Sequence, residues 1–65
     1  EYKKAISTFE KILKIDENYL LAYMNLGVTY GNMGNTKKQI ELFRKAAKLG
    51  SVEIQSWLED NGYSW

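Results

Sequence analysis

Apolar side chains recur along this chain in steps of three and four. In the first segment Tyr2, Ala5, Ile6, Phe9, Ile12 and Leu13 keep that rhythm, which gathers side chains on one face of an α-helix. Asp16-Glu17-Asn18 interrupts it, and the pattern predicts a second helix over about Tyr19–Met33 with Asn18 as its N-cap. There Tyr23, Leu26, Gly27 and Tyr30 stand at i, i+3, i+4 and i+7, and Gly34 supplies the left-handed residue that commonly ends a helix. No stretch alternates β-branched with polar residues over a useful length, so strands are not expected.

Thr36 is the expected cap of a third helix, and Gln39 three residues on completes the Thr-x-x-Gln spacing of a capping box. Ile40, Phe43, Ala46 and Ala47 form its buried face, and Gly50 stops it. Ser51 then caps a short fourth helix that carries Ile54, Trp57 and Leu58 on one side and ends near Gly62. The chain reads as all-α, four helices joined by short turns.

Sliding the chain against itself by 34 residues places Lys3, Lys4, Ile6, Phe9, Lys11 and Lys14 on Lys37, Lys38, Ile40, Phe43, Lys45 and Lys48, with Ile15 on Leu49. The first and third helices are copies of one another. A helix–turn–helix unit repeating at that period is the signature of tetratricopeptide arrays. In detail, the stretch from Ala22 to Gly50 resembles one tetratricopeptide repeat: Tyr23 stands at the leading aromatic position, Leu26-Gly27 at the Leu-Gly pair and Tyr30 at the next aromatic. Gly34 stands at the turn, Phe43 at the second-helix aromatic and Ala46 at the last small residue. Ala5 and Phe9 hold the corresponding places in the first helix, which then resembles the second helix of a preceding repeat.

The resemblance implies an α-α superhelix of stacked antiparallel hairpins. Residues 1–16 would be the second helix of one repeat, 19–50 a full repeat, and 51–65 a capping helix with its tail. Gly27 would remove a Cβ where two helices close on each other, with Tyr23, Tyr30 and Phe43 filling the space between them. Gln39 departs from the small residue that the family favours there: either it turns outward as partner of Thr36, or the hairpin is looser. The last helix departs too. In strict register Trp57 falls on Tyr23; with a shorter linker the segment resembles the related Sel-like repeats, with Gln55 and Leu58 three apart. As a cap, this helix would expose Glu53, Glu59 and Asp60 on an outer face while Trp57 and Leu58 close the core.

Composition now narrows the chemistry. With 45% hydrophobic and 26% charged residues the chain can form a core and is not a disordered polyelectrolyte. Cysteine and histidine are both absent, which removes disulfides, thiolate or imidazole metal sites and histidine-activated nucleophiles. A reducing, cytoplasmic setting suits such a chain. The acidic pairs Asp16-Glu17 and Glu59-Asp60 lie at helix ends, not in a cavity where paired acids acquire opposed roles. No catalytic, metal or cofactor residues are therefore assigned, and no enzyme is expected. The start at Glu1, without methionine, reads as a segment of a longer protein, and the capping helix as its carboxyl-terminal end.

The resemblance makes the function a protein-binding scaffold, its concave face lined by first helices. Carried over by position, the groove residues are Leu21, Met24, Asn25, Val28, Gly31 and Asn32. Apolar side chains flanked by amides suit a peptide or partner protein; packing against a neighbouring helix is the competing use of Leu21, Met24 and Val28. Met24 and Val28 occupy places where a terminal-carboxylate clamp would need Lys and Asn, so no clamp is expected. The alternative function is purely structural, capping or self-assembly of a longer array. A third helix bearing Lys37, Lys38, Arg44, Lys45 and Lys48 against Glu41 is strongly basic, within a chain of net charge +1. The orders Glu41→Lys45 and Glu10→Lys14 favour ordinary helix pairing on a solvated face, so nucleic acid is disfavoured. Finally, the first helix lacks its own hairpin partner, which leaves Tyr2, Ile6, Phe9 and Leu13 to drive self-association of the isolated chain.

Overall fold

Four helices follow one another, each packed on its neighbours in sequence: α1 Tyr2–Ile15, α2 Leu20–Asn32, α3 Thr36–Lys48 and α4 Val52–Asp60. The computed structural model describes all 65 residues. Its principal-axis extents are 30 × 25 × 14 Å. In such a slab every helix keeps a face open, and only 10 of 65 residues are buried. This is the architecture of stacked hairpins, in which each unit meets only its neighbours.

The α2–α3 hairpin is the most extensively packed pair. Its contact forms around Gly27 and Phe43, because a Cβ on residue 27 would overlap the Phe43 ring. Phe43 is 3% exposed and is flanked on its other side by Trp57 of α4, ring centroids 4.9 Å apart at 84°. An edge-on pair of this kind contributes about 0.5–1.5 kcal/mol beyond its buried area. Ile40, Ala46, Ala47, Ile54 and Leu58 complete the core around Phe43. Tyr23 packs on the edge of this core, its hydroxyl donating to the Glu17 carbonyl at 2.7 Å. Tyr30 is half-buried with the Lys38 ammonium 5.9 Å above its ring. Ala5 and Phe9 are half-buried at the α1 end, where no residue of the helix is fully covered.

Two turns share one construction. Gly34 has φ +83° and Gly50 φ +107°, a region open to glycine at little cost. Through them the Asn35 amide donates to the Tyr30 carbonyl and the Ser51 amide to Ala46, the long-range bond of a Schellman end. The same two residues then begin the next helix: Asn35 Oδ1 accepts from the Lys38 amide at 3.1 Å, and Ser51 Oγ from the Ile54 amide at 3.2 Å. One residue thus closes one helix and opens the next.

Several local expectations need correction. Asn35, not Thr36, caps α3; Thr36 is its first helical residue, and no Thr36–Gln39 box forms. Gln39 turns inward against Gly31, where the missing side chain leaves room for its amide. Asn18 does not cap α2: its amide donates to Asp16 Oδ1 in a local turn, and Tyr19 takes the N-cap position with no side-chain bond. Glu41 reaches back to Lys38 at 3.9 Å instead of forward to Lys45. This exposed pair is worth little.

The last helix also leaves the strict register. α2 begins at Leu20 and α4 at Val52, 32 residues on. In that frame buried Ala22 and Leu26 correspond to buried Ile54 and Leu58, and Tyr23 corresponds to Gln55, not Trp57. Gln55 ties α4 to the preceding helix by donating to the Ala47 carbonyl at 2.9 Å, much as Tyr23 bonds back to Glu17.

Two glycines on one helix should answer oppositely to the same change. Gly27→Ala pushes a methyl into the packed Phe43 ring and is expected to cost about 1–3 kcal/mol. Gly31→Ala meets only the mobile end of Gln39, so stability should stay level or rise by up to about 1 kcal/mol from helix propensity. Urea denaturation of the two variants checks the sign of each.

The caps give a second contrast. Asn35→Ala should lose about 1 kcal/mol, whereas Thr36→Ala, at an exposed first-turn position, should change stability by less than about 0.5 kcal/mol. Equal thermal shifts for the two would refute the capping geometry.

Candidate partner-binding cleft

α2 and α4 are separated by an open cleft of about 490 Å³. Its floor belongs to Phe43, Ile54 and Gln39, so the aromatic that joins the helices also lies beneath the opening. Met24, Asn25 and Val28 line the α2 wall, and Glu53, Ser56, Trp57 and Asp60 the α4 wall. Val28 is 48% exposed, while Met24 and Trp57 are half-buried. Ser51 Oγ lies 3.9 Å from Met24 Sδ and holds the thioether near the base of the α4 helix.

Of the six groove positions expected from sequence, Met24, Asn25 and Val28 meet in this cleft. Leu21, 54% exposed, and the exposed Asn32 lie outside it, one turn beyond either end. Gly31 faces Gln39 of α3. Sequence reasoning missed the α4 wall. Yet Glu53, Ser56, Trp57 and Asp60 stand 32 residues after Leu21, Met24, Asn25 and Val28, so the same helical positions recur once the shifted register is applied. The signal was the helix start: α3 and α4 are joined by three residues, α1 and α2 by four.

Glu53 and Asp60 therefore stand beside the cleft, not on a remote outer face, whereas Glu59 accepts from the Trp65 indole at 3.1 Å. No Lys or Arg lines the cleft. The cations of α3 lie elsewhere: Arg44 donates to the Ser64 carbonyl at 2.9 Å and, with Lys37, borders a smaller hollow beneath Tyr63. The tail thus folds back along α3, away from the α2–α4 opening.

No group of three or more potential metal-binding side chains comes together, and no helix is long and apolar enough to cross a membrane. No curated protein and no solved structure matches the chain. The tetratricopeptide repeat model matches it twice, over residues 1–19 and 20–49, leaving α4 outside the match. Repeats of this family generally mediate protein–protein interactions. With stacked hairpins packed at a glycine notch and most of its length matched, the chain belongs to the tetratricopeptide repeat family.

Proposed function

We propose that this chain is a non-enzymatic scaffold segment that binds a partner protein or peptide in the cleft between α2 and α4. The observation that carries this reading is the exposure of Val28 beside Met24 and Trp57, over a floor that is otherwise packed. Apolar side chains left open in a concavity, with polar groups at the rim, are the usual ground for a docked segment. The recurrence of the same helical positions on both walls supports it further. Leu21 and Asn32 belong to the wider concave surface and contribute less, and Gly31 serves the contact with Gln39 of α3.

Val28→Glu is expected to abolish capture of a partner by the full-length array while the helical circular dichroism stays intact. Val52→Glu, at an equally open residue 71% exposed and outside the cleft, should leave capture unchanged. Undiminished capture by folded Val28→Glu would remove the cleft assignment.

A second reading, self-association of the isolated chain, is favoured by α1. Tyr2 is 46% exposed, and Ile6, Phe9 and Leu13 are only half-covered. Such a face associates when no neighbouring helix covers it. The mass of the isolated chain by light scattering should grow with concentration, and a monomer mass over a hundredfold range in concentration would exclude this use of α1. In a longer array the same face would meet a preceding helix. A Sel-like relationship for the last helix rests on its shorter linker and on Gln55 bonding back to Ala47.

A further inference from the structure

The cleft has a sign. Of its charged lining residues, Glu53 and Asp60 are both acidic, and no cation stands on either wall. The two carboxylates lie on one helix seven residues apart, hence roughly 10 Å along its axis. They bracket Trp57, which with Val28 and Met24 forms the apolar middle. No ion pair neutralises them: the one pair is Lys38–Glu41 on α3, and Arg44 is held by the tail carbonyl. The free carboxylates and the bracketed apolar floor are complementary to one pattern.

We propose that the cleft takes a short extended segment in which a bulky apolar side chain is flanked on both sides by Lys or Arg. This rests on the reading of the cleft as the docking surface and names the chemistry of its occupant. In an extended chain, cations four residues apart lie on one face about 13 Å apart with residue i+2 between them on that face, and their long side chains converge on Glu53 and Asp60. The apolar side chain between them covers Trp57 and Val28, and the basic side chains lie along the α4 rim. Paired charges at such a rim set selectivity and salt dependence more than raw affinity. An acidic segment meets repulsion from both ends of the wall.

The test uses the intact chain and three capped peptides: Lys-Ser-Phe-Ser-Lys, Glu-Ser-Phe-Ser-Glu and Lys-Ser-Ser-Ser-Lys. Binding is followed through the NMR signals of the Trp57 indole and the Val28 methyl groups. The basic apolar peptide is expected to shift both signals and to bind more weakly as salt is raised. Glu53→Gln and Asp60→Asn, both at exposed positions, should each weaken it about two- to fivefold, the size of an exposed ion pair, with the fold intact by circular dichroism. If the acidic apolar peptide shifts Trp57 and Val28 with equal affinity, or the two variants bind unchanged, the charge selectivity is overturned and the docking surface stands. If Lys-Ser-Ser-Ser-Lys binds as well as Lys-Ser-Phe-Ser-Lys, the apolar anchor is overturned. If no peptide moves either signal while Val28→Glu still abolishes partner capture, the occupant is wrong; if that capture also persists, the cleft itself is lost.

Discussion

The absence of a side chain at Gly27 lets the Phe43 ring sit against the α2 backbone, and the rest of the assembly depends on that contact. A helix pair held this close places Phe43 within reach of Trp57, so a single ring on α3 touches both α2 and α4. With only 10 of 65 residues buried, little other packing compensates for a misplaced helix. Burial is concentrated where hairpins meet, and most side chains remain in contact with solvent. The cleft follows from the same arrangement, because α2 and α4 both lean on α3 without filling the space between them.

The turns make that packing reproducible. Asn35 and Ser51 each donate a backbone amide to the helix they close and accept an amide with the side chain from the helix they open. A turn so short leaves little freedom in the angle between consecutive helices. The α1–α2 junction is built differently, from an Asp16 turn and the Tyr23 hydroxyl, and has no left-handed residue. It uses four linking residues where the others use three. This difference in linker length contributes to the change of register between the first and last hairpins.

The helices, the Gly27 notch and the buried face of α3 were legible in sequence because they rest on side-chain periodicity and on glycine, which leave little choice. The caps were not. Asn35 and Thr36 are neighbours that can each cap a helix, and with Gly34 at positive φ the chain places Asn35 in that position. Gln39 was ambiguous for a related reason: its inward turn depends on the vacancy at Gly31, one helix away, which no local pattern announces. Half of the cleft was missed because Trp57 matches Tyr23 by type and by period. Its actual counterpart, Asn25, shares neither size nor polarity with it. Burial of Ile54 and Leu58 distinguishes the two registers where residue identity misleads.

That shift also bears on whether α4 is a cap or a binding wall. Ile54 and Leu58 lie one helical turn apart and enter the core, whereas Glu53, Trp57 and Asp60 fall on the adjoining face. The two tasks use different sides of one nine-residue helix, so closing the core and lining the cleft are compatible. Trp57 joins them, since its edge-on contact with Phe43 fixes the wall by the same packing that closes the hairpin. Removing residues 51–65 would take away core and wall together and could not tell one role from the other. Changes confined to the acidic face can, because Glu53 and Asp60 contribute nothing to the buried core and leave Ile54 and Leu58 in place.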